Sequence, residues 1–135
     1  MNRFELALAV IKEAGNFIIK MSPTEGLESK EGRANYVTAA DVKSEEIIVS
    51  AIKANFPSDE ILSEETFTSV ANPLNQEHLW IIDPIDGTNN YCFQRQLSAI
   101  SIGYMERGNL IFGLIYNPYR NELFWAELNK GAYLN

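Results

Sequence analysis

The 135 residues are 46% hydrophobic and 11% aromatic, enough apolar surface to give one globular domain, 1–135, a core. Eleven basic against eighteen acidic side chains leave a net charge of -7, which repels polyanions and excludes nucleic acid and anionic membranes as partners. One cysteine, Cys92, and one histidine, His78, exclude an internal disulfide and a Cys- or His-built zinc cage, so any metal here takes oxygen ligands.

An acidic chain can still act on a phosphate ester when divalent cations bind its carboxylates and reverse the charge that the substrate meets. No apolar run approaches the ~18 residues that cross a bilayer, and Met1-Asn2-Arg3-Phe4-Glu5 lacks the long uncharged core of a signal peptide. A soluble, cytoplasmic protein is the expectation.

In chain order, Phe4, Ala7, Leu8, Ile11, Ala14 and Ile18 recur at three and four residues and predict an amphipathic helix from Phe4 to Met21, ended by Ser22-Pro23. From Thr24 to Asn35 the polar run around Gly26 and Gly32, with Lys30 and Arg33, has no apolar period and reads as an exposed connection. Thr38-Ala39-Ala40-Asp41 has capping-box spacing and opens a second helix through Val42, Ile48, Val49 and Ile52, stopped by Pro57. Two strands follow, Glu60 to Ser63 and Leu79 to Ile82, the second apolar enough to lie deep in a sheet. From Ala99, alternating residues with turns at Arg107-Gly108-Asn109 and Asn117-Pro118-Tyr119-Arg120-Asn121 predict a three-stranded antiparallel meander. Lys130 to Asn135 reads as a further turn and the start of another strand. The fold class is α+β, two N-terminal helices packed on one face of a mostly antiparallel sheet.

The chemistry concentrates after the Leu79 to Ile82 strand, in Asp83-Pro84-Ile85-Asp86-Gly87-Thr88. Pro84 restricts the backbone between two carboxylates, and hard cations such as Mg²⁺ take oxygen ligands, here Asp83, Asp86 and the main-chain carbonyl of Ile85. Gly87 and Thr88 offer backbone N–H groups at a helix start, where a phosphate oxygen is well received. Asp-Pro and Asp-Gly are also ordinary turn dipeptides, and Glu64-Glu65 are ordinary loop residues. If the two strands are neighbours, however, Glu64 and Glu65 converge with Asp83, and such a cluster is costly without a cation.

The string Trp80-Ile81-Ile82-Asp83-Pro84-Ile85-Asp86-Gly87-Thr88-Asn89-Asn90-Tyr91 resembles the Asp-Pro-Ile/Leu-Asp-Gly-Thr signature of the inositol monophosphatase family. Val37-Thr38-Ala39-Ala40-Asp41 resembles the family's Val-Thr-x-x-Asp helix start. Phe56-Pro57 with Ile61-Leu62-Ser63-Glu64-Glu65 resembles its Phe-Pro…Ile-x-Gly-Glu-Glu segment, Ser63 standing where Gly is common. Order and spacing agree over essentially the whole chain.

The resemblance implies Mg²⁺-dependent hydrolysis of a phosphate monoester, first of all inositol monophosphate to inositol and phosphate, with two or three ions. Phosphatases of sugar bisphosphates or of 3'-phosphoadenosine 5'-phosphate are the related alternatives. By similarity Glu64, Asp83 and the Ile85 carbonyl bind one ion, and Asp83 and Asp86 share a second. Thr88 and Glu64 orient and deprotonate the attacking water, and the N–H groups of Gly87 and Thr88 hold phosphate oxygens. Asp41 and Lys30 match positions near the metals, though a capping box alone accounts for Asp41 and solvation for Lys30. His78 and Cys92 match nothing catalytic, and Cys92 reads as a small packing residue.

The implied architecture is the first half of a layered αβαβα fold. Family members continue about as far again, with a Trp-Asp-x-Ala-type motif and the groups that choose the alcohol. The chain is accordingly expected to be a fragment, a truncated reading frame or half of a split enzyme, with an open sheet edge. A homodimer or a separate C-terminal half is the implied partner, and a noncatalytic remnant is the competing reading.

Overall fold

A computed structural model describes residues 1–30 and 35–135, and side chains at 29, 30 and 35–37 also lie outside the description. Helix α1 spans Arg3–Ile18 and opens with a capping box: the Asn2 side chain accepts from Glu5 N (2.9 Å), and the Glu5 carboxylate accepts from Asn2 N (2.9 Å). It ends three residues before the predicted Met21, because Lys20 N already donates to Phe17 O at 3.1 Å, a tightened last turn. Its stripe of Leu6, Ala7, Val10, Ile11, Ala14 and Ile18 is buried.

The segment read as an exposed connection contains a short hairpin. Strand β1, Glu28–Lys30, pairs antiparallel with β2, Asn35–Val37, in the register Glu28↔Val37. The pairing is made by backbone groups and needs no apolar alternation, so side-chain periodicity does not announce it. Arg33 and Gly32 lie outside the described residues, as does the side chain of Lys30.

Helix α2, Ala39–Asn55, is capped by Thr38 and buries Ala40, Asp41, Ser44, Glu45, Ile48 and Ile52. Three of these six are polar or acidic, an arrangement that costs stability unless each group finds hydrogen bonds.

The main sheet has six strands in the order β3-β4-β5-β6-β7-β8: Glu60–Ser63, His78–Asp86, Ala99–Glu106, Asn109–Asn117, Glu122–Glu127 and Gly131–Leu134. Only β3 and β4 pair in parallel, with Ser63 opposite Ile82; every later neighbour is antiparallel. The further strand expected after Lys130 is β8, a four-residue strand whose residues are all exposed, and it extends the predicted meander. Strand β4 also outruns its predicted end at Ile82. Asp83 pairs with Ser101 and Asp86 with Ala99, so β4 carries one residue more than its partner there, a bulge at Pro84-Ile85. Pro84 has no N–H to give a ladder, and a bulge is where a strand tolerates it. A 3₁₀ turn, Pro73–Asn75, precedes β4, and a short helix α3, Thr88–Cys92, follows the bulge.

Both long helices pack on one face of the sheet, against Trp80, Ile100, Ile102, Tyr104, Phe112 and Leu114. Each large apolar side chain buried this way contributes on the order of 1.5–3 kcal/mol. The other face bears Ile81, Leu110, Ile115 and Phe124, all exposed. No helix among the described residues is long and apolar enough to cross a membrane.

Where α1 crosses β6, Gly15 permits the contact: a Cβ there would fall into the Tyr116 ring and lie 3.2 Å from Pro118 Cβ. Gly15→Ala gains about 1 kcal/mol in helix propensity but overpacks this crossing. The expected net result is a loss of roughly 1–2 kcal/mol, read as a lower urea midpoint at unchanged slope.

Candidate functional site

The buried face of α2 presents Asp41, Ser44 and Glu45, spaced i, i+3 and i+4, to the ends of β3 and β4. Each of the three holds a different piece of the candidate site.

Asp41, fully buried, does two things at once. Its Oδ2 accepts from Thr38 N (2.9 Å) while Asp41 N donates to Thr38 Oγ1 (3.4 Å), the capping box foreseen from the sequence, and Oδ2 also accepts from Thr38 Oγ1 (2.7 Å). Its Oδ1 accepts from Thr88 Oγ1 at 2.8 Å, across 47 residues of chain. The Thr88 hydroxyl has one proton and a second acceptor within reach, the Ile85 carbonyl at 3.1 Å. The charged, nearer carboxylate is the stronger acceptor.

Ser44 Oγ donates to the carbonyl of Pro84 at 2.7 Å and so pins the bulge to α2. Glu45 Oε2 accepts from Ser63 Oγ (2.7 Å) and from the backbone N–H of Glu65 (2.9 Å) and Thr66 (3.2 Å), the last also lying 3.0 Å from Oε1. Neither Ser44 nor Glu45 was singled out from the sequence. The signal was a serine and a charged residue on the stripe that also carries Ile48 and Ile52.

The parallel pairing of β3 with β4 brings Glu64 against Asp83, and the two carboxyl groups are hydrogen-bonded. Burial pushes the Asp83 carboxyl up to about 7, and the hydrogen bond and charge of Glu64, with the charges of Asp86 and Asp41, push in the same direction. Asp83 Oδ1 is buried with no hydrogen-bond partner. Glu64 and Asp83 line a crevice of about 330 Å³ together with Leu62, Ser63, Thr68, Ile81 and Ile82. Asp86 is exposed and is felt at Asp83 through its charge. Among the described residues no group of three or more His, Cys, Asp or Glu side chains is placed to hold a metal ion by itself. The structure therefore brings Glu64 to Asp83, and Thr88 to Asp41 and the Ile85 carbonyl, without gathering every carboxylate around one point.

Gly87 caps α3 in the left-handed region (φ 83°), and a Cβ there would stand 2.7 Å from Leu97 O, so the turn into Thr88 requires glycine. His78 sits at the other end of β4, its Nδ1 2.7 Å from the Tyr104 hydroxyl, and Cys92 is buried packing.

The model of the inositol monophosphatase family matches residues 2–135. The chain belongs to that family. It is 39% identical over 132 residues to the inositol-1-monophosphatase of Bacillus subtilis, covering 97% of this chain and 49% of the relative. It is 35% identical over 132 residues to the Nus factor SuhB of Salmonella typhimurium, covering 96% and 49%. Among solved structures, an IMPase/NADP phosphatase complexed with Mg²⁺ and phosphate superposes with a TM-score of 0.86 at 29% identity, covering 97% of this chain and 49% of that one. The chain spans about half the length of the curated relatives it matches.

Proposed function

We propose that this chain supplies the metal- and phosphate-binding part of a Mg²⁺-dependent phosphate monoester hydrolase, with inositol monophosphate as the first candidate substrate. The observation that carries the reading is Asp83, whose buried, unpartnered oxygen stands against Glu64 in an all-oxygen setting. Two carboxyl groups held together with an acceptor to spare fit a hard divalent cation. Glu64, Asp83 and the Ile85 carbonyl would hold one Mg²⁺, and Asp83 with Asp86 a second. When bound, the cations offset the carboxylate charge, steady the phosphate and make water more acidic.

The chain's own groups account for the rest. With its proton committed to Asp41, Thr88 Oγ1 is left as an acceptor and receives a hydrogen bond from the attacking water. Glu64 takes that water's proton as its oxygen bonds to phosphorus. The bond from phosphorus to the ester oxygen breaks, a solvent water protonates that oxygen to release the alcohol, and Glu64 gives its proton back to solvent as inorganic phosphate leaves. The N–H groups of Gly87 and Thr88 face the phosphate oxygens. Asp41 thereby acts through Thr88 as well as capping α2. The related structure with Mg²⁺ and phosphate supports the same ligand chemistry.

The exposed apolar sheet face favours a second reading, in which the chain acts only with a partner or as a noncatalytic module. Mg²⁺-dependent phosphate release from inositol 1-phosphate decides between them. Thr88→Ala is expected to reduce kcat by about 10²–10³-fold, and equal rates in parent and variant would remove Thr88 from the mechanism. No release by the folded chain would favour the second reading.

A further inference from the structure

Glu45 is only 3% exposed on the apolar side of α2, and its hydrogen bonds run to neutral donors. A buried carboxylate held this way is costly, and breaking its hydrogen bonds is costlier still. Those donors flank one residue. The Ser63 hydroxyl lies immediately before Glu64, and the Glu65 and Thr66 amides lie immediately after it. A further bond, Ser63 N to Phe67 O at 2.6 Å, closes the same turn.

We propose that Glu45 is a positioning residue: bound to Ser63 on one side and to Glu65 and Thr66 on the other, it fixes the main chain of Glu64 so that its carboxylate faces Asp83. The inference rests on the metal-site reading above and adds a residue to it. Glu45 lies behind β3 and acts through Glu64. A carboxylate suits the task because its two oxygens accept from several donors at once, whereas an apolar side chain would leave two amides and a hydroxyl unsatisfied. Ser63 contributes one of these bonds, and a glycine at that position would leave the two amide bonds in place.

The test is Mg²⁺ titration by calorimetry together with amide hydrogen exchange, on the 135-residue chain and its variants. Glu45→Ala is expected to weaken Mg²⁺ binding about 10–100-fold and to speed exchange at Glu65 and Thr66 without changing α1. Glu45→Gln keeps one acceptor oxygen and should fall between; it carries the test if the alanine variant does not fold. Ser63→Gly should lose about threefold or less, since two amide bonds remain. Ile52→Val, on the same helix face, should lower the melting temperature and leave Mg²⁺ affinity unchanged. Parent-like affinity in both Glu45 variants, or an equal loss in Ile52→Val, overturns the inference. A parent chain that takes up no Mg²⁺ overturns the metal-site reading; unchanged exchange at Glu65 and Thr66 in Glu45→Ala then overturns the anchoring as well.

Discussion

Asp83→Asn is expected to abolish Mg²⁺-dependent phosphate release, by on the order of 10³-fold or more, while making the metal-free chain more stable. The two effects have one cause. Asp83 stands beside Glu64, with the charges of Asp86 and Asp41 acting on it and one oxygen buried without a partner. The carboxylate proposed to serve a cation is one that the metal-free fold holds at a cost. An amide of the same shape removes the repulsion and can donate to Glu64, but it offers a cation one neutral oxygen. Melting temperature in chelator should rise by roughly 3–6 °C, and calorimetry should show Mg²⁺ affinity reduced at least tenfold. A variant that melted lower in chelator would show that the carboxylates are not in conflict. A variant that kept the parent's activity would remove Asp83 from the site.

Asp59→Ala should be the most damaging single change to stability outside the site. Asp59 is 1% exposed and accepts from Arg3 Nε (2.7 Å), Arg3 Nη2 (2.9 Å) and Trp80 Nε1 (2.8 Å). Arg3 also lies over the Phe56 ring, 4.3 Å from its centroid. Removing the carboxylate strands an indole N–H in the core and leaves the guanidinium without its counter-ion. A loss of about 3 kcal/mol is expected, at the low end for a buried pair because Arg3 is partly exposed. The melting temperature should fall by about 10 °C. Burial alone would raise the Asp59 pKa, but hydrogen bonds from Arg3 and Trp80 and the charge of Arg3 outweigh it and hold the group below its usual 3.8. A depressed carboxylate stabilises the fold above its unfolded pKa and loses that contribution as pH falls through the folded value. Urea unfolding of the parent should therefore be level with respect to this group above roughly pH 4 and decline below it, a component that Asp59→Asn lacks.

How much of this was legible depended on how local each feature is. Thr38 and Asp41 are three residues apart, so the start of α2 could be placed from spacing alone. The second bond of Asp41, to Thr88, could not, because it exists only after β4 and α3 have been placed against α2. The two helices followed from apolar periodicity, and the short apolar run Leu79 to Ile82 announced a strand deep in the sheet, of which Leu79, Trp80 and Ile82 are buried while Ile81 faces outward and is exposed. The bulge in β4 escaped because it is a mismatch in residue count between two strands, and neither strand alone contains it. Hairpin β1–β2 escaped because its residues carry no apolar pattern. Asp59 was not singled out from the sequence, because its partner Arg3 lies 56 residues away. Glu45 was within reach: an acidic residue one turn before Ile48 and two before Ile52 interrupts a buried stripe, and such an interruption asks what it binds.

The chain order of the sheet bears on how the molecule folds. Strands β4 to β8 are each paired with their neighbour in sequence, so most of the sheet closes through short loops, the kind of contact that forms quickly. The site is stitched by long closures instead: Ser44 to Pro84 spans 40 residues, Asp41 to Thr88 spans 47, and the Tyr91 hydroxyl to Ile18 O spans 73. Loop-closure entropy places these last, after the meander offers a surface for the helices. Substitutions at Ile102 or Leu114 should accordingly slow folding, whereas Ser44→Ala or Thr88→Ala should mainly speed unfolding. The same order in reverse lets the helices lift away from a sheet that stays intact, dismantling the site while most of the strand pairing persists.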